Sequence, residues 1–101
     1  MELVVFPAVF LKNVEKEGYV VAFDDIEVFC VGDTIEDAYK QAKHYLKTFA
    51  KLSYRMFGKI QEKPRSYLDS VKAHPKQIVL LVDAEVKPTP KVDVGDDIFN
   101  S

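Results

Sequence analysis

Lys40, Lys43, Lys47, Lys51 and Arg55 follow one another at spacings of three or four residues. On a helix that spacing gathers five cations on one face. Such a face suits phosphate, and a nucleic acid held there would be released steeply by salt. The plainer reading is a solvated helix face. Tyr19, Phe23 and Phe29 would make a stacking platform for single-stranded nucleic acid if they shared an open sheet; the plainer reading is packing in a core or an interface. Asp24, Asp25 and Glu27 form an acidic group at a turn, either simply solvated or complementary to a basic partner. His44 and His74 have no neighbours at metal-ligand spacing and read as surface histidines. Cys30 sits in a strand-like stretch without a readable base and reads as a buried, inert thiol. The residues alone show no catalytic constellation, and no cofactor or metal is expected.

The element that positions most of these groups is a helix over Gly32–Phe57. Asp33 with Glu36, or Thr34 with Asp37, has the spacing of a capping box. Ile35, Ala38, Tyr39, Ala42, Tyr45, Leu46, Phe49, Ala50, Met56 and Phe57 then fall on one side, as expected of a helix laid on a core. Gly58 suits the position just after a helix.

Strands are expected at residues 3–11, 19–23, 27–31 and 77–83, where β-branched and aromatic residues concentrate. Pro7 is awkward inside the first, because it removes a ladder donor. Residues 66–72 read as a short helical turn, stopped by His74-Pro75. Residues 85–101, with Pro88, Pro90, Gly95 and several acids, read as an extended or disordered acidic tail. The organisation is therefore one domain over 1–84 and a tail over 85–101.

The chain has 101 residues, 48% hydrophobic and 30% charged, ordinary values for a soluble domain. One cysteine excludes an intrachain disulfide and fits a reducing compartment. There is no apolar run long enough to span a membrane and no basic start of a signal peptide, so the cytoplasm is expected. The net charge of −2 is uneven: −7 over residues 1–37, +8 over 38–76 and −3 over 77–101.

Three antiparallel strands, a helix and a fourth strand define an α+β fold. A right-handed crossover through the helix would set the fourth strand parallel to the first. The first and fourth strands are apolar on both faces, yet one long helix covers one face only. Exposed apolar sheet marks an interaction surface, so a homodimer or higher homo-oligomer, or a bound protein, is expected.

Phe6-Pro7-Ala8-Val9-Phe10, Gly18-Tyr19, Phe23, Gly32-Asp33-Thr34-Ile35-Glu36-Asp37-Ala38, Ala42 and Ile78-Val79-Leu80-Leu81-Val82-Asp83 together resemble the HicB antitoxins of bacterial HicA–HicB toxin–antitoxin pairs, over residues 3–84. The resemblance implies a partial ribonuclease H-like fold. It implies a chain that binds and neutralises a small, basic, RNA-cleaving HicA-like toxin by occluding its active site. Tyr19, Phe23, Asp24, Asp25 and Glu27 are the candidate partner contacts. The family's Pro-x-Leu-Pro-Gly-Cys-like turn after the second strand is missing, and residues 85–101 are too few and too polar for its helix-turn-helix and show no amphipathic helix after a strand for its ribbon-helix-helix, so direct DNA binding by this chain is not expected. A true ribonuclease H site holds two Mg²⁺ on several carboxylates, one of them in the first strand. That strand has no acid between Leu3 and Leu11, so Asp83, Glu36 and Asp37 read as strand-end and capping acids. The chain is expected to be a binding protein and not an enzyme. The alternatives are a nucleic-acid-binding domain using the lysine face and an orphan structural or sensor domain.

Overall fold

A computed structural model describes residues 1–90. Four strands, β1 (Glu2–Lys12), β2 (Tyr19–Phe23), β3 (Phe29–Gly32) and β4 (Ile78–Val86), form one sheet in the order β3-β2-β1-β4. The helices are α1 (Ile35–Phe57) and α2 (Tyr67–Ala73). β4 runs two residues past the expected end of the domain, so Glu85 and Val86 belong to the sheet and not to the tail. The expected tail beyond residue 90 lies outside the described residues.

All pairings are antiparallel, and the expectation of a fourth strand parallel to the first is corrected. The reason is a second return of the chain. α1 is about 34 Å long and carries the chain from the end of β3 back to the start of β1, where the Tyr54 hydroxyl donates to the Glu2 carboxylate. A strand starting there would run parallel to β1. Residues 58–77 instead lead back along the sheet, and β4 starts with Ile78 opposite Phe10. The handedness rule governs a single crossing between parallel strands, whereas the chain crosses the sheet twice, through α1 and through residues 58–77.

Thr34 is the N-cap of α1. Its Oγ1 accepts the Asp37 N–H at 3.0 Å, as in a capping box, while Asp37 Oδ2 accepts at 3.1 Å from the N–H of Asp33, one residue before the cap. Gly58 closes the helix with φ 74°, a conformation that glycine adopts without steric cost. At the start of the helix, a Cβ on Gly32 would lie 2.3 Å from the Ala38 backbone nitrogen. Only a glycine lets the strand and helix meet so closely.

The main core lies between α1 and one sheet face. Ala38, Ala42, Leu46, Ala50 and Tyr54 meet Phe6, Ala8, Phe10, Val21 and Val82. The Phe6 ring meets Phe49 edge-on at 6.5 Å, and Phe10 stacks on Tyr39 at 6.2 Å. The seam is narrower than the apolar stripe of the sequence. Tyr45, Met56 and Phe57 lie on the exposed flanks, and Ser53 and Tyr54 are buried in their place. Ala38, Ala42 and Ala50, in line with Leu46, bring the helix close to the sheet and push bulky flanking side chains outward.

The other face carries Val5, Pro7, Val9 and Leu11, which alternate with the core residues of β1. α2 packs on β1 and β4, and Pro7, Val9 and Val79 are buried. Part of the surface assigned above to a partner is thus covered from within the chain. Leu3 and Leu81 remain exposed. Pro7 costs the ladder little. Its carbonyl accepts from Asp24, at the point where β2 ends, so the N–H it lacks would have faced the end of a strand.

Candidate functional site

Three surfaces hold the sequence-derived candidates. The first is the turn after β2. Asp24 Oδ2 accepts the Ser70 hydroxyl, and Asp24 Oδ1 lies 2.7 Å from His74 Nε2. Asp25 accepts the Arg65 backbone N–H at 2.9 Å and Arg65 Nε at 3.0 Å. The two acids clasp α2 and the segment before it onto the sheet. The Asp25 carboxylate, ahead of charges from Asp24 and Asp69, holds the Arg65 guanidinium above its ordinary pKa. The serine and histidine share one carboxylate instead of facing each other, so the group is not a nucleophile–base pair. His74 is no free surface histidine, because its ring is spent on Asp24. Residues separated by 46 and 50 positions left no local signal of this clasp.

The five candidate partner contacts therefore divide. Asp24 and Asp25 are engaged internally, and the Asp24 side chain is only 9% exposed. Phe23 is in the core and Tyr19 packs against it. Glu27 is exposed. Tyr19 and Phe23 lie on the α1 face, whereas Phe29 pairs with Ala22 on the opposite face, so the three aromatics form no common platform.

The second surface is α1. Lys40, Lys43, Lys47, Lys51 and Arg55 are all exposed on one face, over about 22 Å of helix. Lys43 is partly neutralised: its Nζ lies 2.8 Å from Asp83 Oδ1. That hydrogen bond is the main cause of its raised pKa. His44 meets the Tyr45 ring edge-on at 5.5 Å. Asp83 is thus taken by Lys43 and Asp37 by the cap, and among the described residues no three His, Cys, Asp or Glu side chains converge as a metal site.

The third surface is the β3 edge, where the sequence marks Phe29 as a stacking aromatic and Cys30 as an inert thiol but gives Val31 no role. Phe29 is 68% exposed and Val31 is 67% exposed. Cys30, between them, points into the core, where burial raises its pKa. The signal was present in Phe29-Cys30-Val31, which is apolar on both faces in the last strand of the sheet. No helix of the described residues is long and apolar enough to cross a membrane.

No family model matches the chain, and no curated protein matches it. Among solved structures, a chain of a toxin–antitoxin complex from Streptococcus pneumoniae has a similar fold. The TM-score is 0.64, covering 98% of this chain and 87% of that one at 20% identity. At that identity the likeness is one of fold.

Proposed function

We propose that this chain is a HicB-like antitoxin that binds a small, basic HicA-like toxin and occludes its RNA-cleaving active site. It acts by binding and performs no catalysis of its own, in the cytoplasm. The observation that carries this reading is the fold correspondence with a chain of a toxin–antitoxin complex over nearly the whole length. The strand and helix-start residues that resemble HicB antitoxins support it independently. The acidic first third of the chain suits a basic partner, since complementary charge speeds association and favours the right partner. A second copy packed on Leu3 and Leu81 would cover apolar surface that α2 leaves open, giving a homodimer or larger assembly.

The test is a tagged pull-down from native cells followed by co-expression. A stoichiometric small basic protein that arrests growth alone, and does not when this chain is co-expressed, supports the reading. Its absence from the pull-down, with nucleic acid recovered and released by moderate salt, overturns it in favour of the exposed lysine face. That second reading rests on the five cations that α1 gathers on one side.

A further inference from the structure

β3 is the end strand of the sheet, and its free edge is unusually apolar. Phe23 N–H donates to the Val28 carbonyl. The alternation of an antiparallel ladder then turns Cys30 and Gly32 toward β2 and leaves the backbone N–H and C=O of Phe29 and Val31 pointing outward. These two residues also carry the most exposed large apolar side chains of the sheet. Natural edges are usually blunted by Lys, Pro or a covering element. The β4 edge is treated in that way: the Tyr39 hydroxyl donates to the Leu81 carbonyl at 2.9 Å, and Lys43 pairs with Asp83. At β3 there is instead an open cleft, lined by Val20, Phe29, Val31, Gln41 and Tyr45.

Charge indicates the occupant. Glu27 precedes the edge and Asp33 follows it, both exposed. Asp37 and Glu17 line the cleft at one end and Glu62 the cleft at the other; Lys16 is the one cation lining either. A second copy pairing antiparallel, Phe29 against Val31, would set Glu27 against Asp33, and like charges opposed across strands are destabilising. A nucleic acid would meet the same acids with its phosphates. An extended segment with apolar residues facing Phe29 and Val31 and basic residues at its ends meets neither penalty.

We propose that the free edge of β3 is a strand-docking site that takes an extended apolar and basic segment of a partner protein, hydrogen-bonded to the backbone of Phe29 and Val31. The mode is strand addition, in which main-chain bonds give affinity and alternate side chains give specificity. The identity of the partner as a toxin rests on the function proposed above; the docking edge does not.

The experiment uses the full chain and a short synthetic peptide alternating lysine and valine, with a glutamate–valine peptide as control. Amide exchange is followed residue by residue. The basic peptide should protect Phe29 and Val31 and the acidic one should not. Val31→Pro removes an outward N–H, a replacement that edge strands tolerate, and should weaken binding at least about tenfold, a change of about 1.4 kcal/mol. If Val31→Pro fails to fold, Phe29→Lys serves, since it removes the apolar anchor and adds a repelling charge. Equal binding of both peptides overturns the proposal, as does protection confined to β4 or full affinity in a folded Val31→Pro chain. Protection of Phe29 and Val31 that rises with chain concentration alone would assign the edge to a second copy and also overturns it. Relief of toxicity separates the two proposals. A folded Val31→Pro chain that loses the basic peptide yet still neutralises the toxin removes the toxin as the occupant of the edge and spares the antitoxin reading. A wild-type chain that binds the basic peptide at β3 but neutralises nothing sinks the antitoxin reading and spares the docking edge.

Discussion

His74 Nε2 lies 2.7 Å from Asp24 Oδ1, which ties the end of α2 to the end of β2 across 50 positions of sequence. The same carboxylate accepts from Ser70, which is fully buried. Asp24→Ala would leave that hydroxyl without a partner and free the imidazole. Orphaning a buried polar group costs about 1–3 kcal/mol. With the imidazole contact also lost, destabilisation by about 3 kcal/mol in urea unfolding is expected. Ser70→Ala removes the hydroxyl without orphaning Asp24, which keeps His74, and should cost clearly less. Equal costs would mean that the carboxylate is not the hub of the clasp. Amide exchange should rise first in residues 67–73, since α2 is what the clasp holds.

Gly32 faces a tighter constraint. A Cβ there would meet the backbone nitrogen of Ala38, which has no flexible end that could move aside. Overpacking of this kind costs about 1–3 kcal/mol. Gly32→Ala should lie at the upper end and lower Tm by about 10–20 °C. An unchanged Tm would show that β3 and α1 are not joined so closely.

These two positions mark what was legible in the sequence. The Thr34–Asp37 box and the glycine at each end of α1 are local, and a local signal can be read from a few residues. The direction of β4 was not local. It depends on where residues 58–77 run, and nothing in their composition says that they return along the sheet. The Asp24–His74 contact is hidden for the same reason: a local window shows only an acidic turn and a separate histidine. The apolar stripe of the sequence is broader than the buried seam because hydrophobic periodicity treats alanine and tyrosine alike. Packing distinguishes them: Ala38, Ala42 and Ala50 are fully buried, whereas Tyr45 is not.

Cys30 is 7% exposed, and burial raises the pKa of its thiol. At neutral pH the folded chain should therefore be alkylated slowly, with a large acceleration in urea. The sign for stability follows from linkage. Above about pH 8.5 the unfolded thiol loses its proton while the folded one keeps it. The unfolded state then binds fewer protons, and stability falls as pH rises. Cys30→Ser should flatten this part of the pH–stability curve. Rapid alkylation of the folded chain would contradict the buried position.

Leu3 and Leu81 are exposed apolar residues on the β1 and β4 side of the sheet face that α2 half covers, whereas Phe29 and Val31 lie at its β3 side. If a second copy covers them, sedimentation should show a species larger than the monomer at micromolar concentration, and Leu81→Lys should shift it toward the monomer. This surface is separate from the β3 edge, so Val31→Pro should leave the assembly intact. A monomer at every concentration would remove self-association from the account.

The lysine face decides between the two functional readings. Lys47 and Lys51 are exposed at the middle of the α1 stripe, away from the Lys43–Asp83 pair. Reversing both, with Lys47→Glu and Lys51→Glu, adds no buried charge, and exposed substitutions of this kind usually change stability within about 0.5 kcal/mol. For an antitoxin that engages its partner through its acidic β3 side, relief of toxicity should be unaffected. For a nucleic-acid-binding domain, the double reversal should abolish binding. Wild-type affinity should then fall linearly with salt on logarithmic axes, with the slope set by the number of phosphates neutralised. Toxin relief that survives the reversal while nucleic acid binding is undetectable would assign the lysines to solubility alone. Loss of relief in a folded variant would place the toxin on α1 and not on β3.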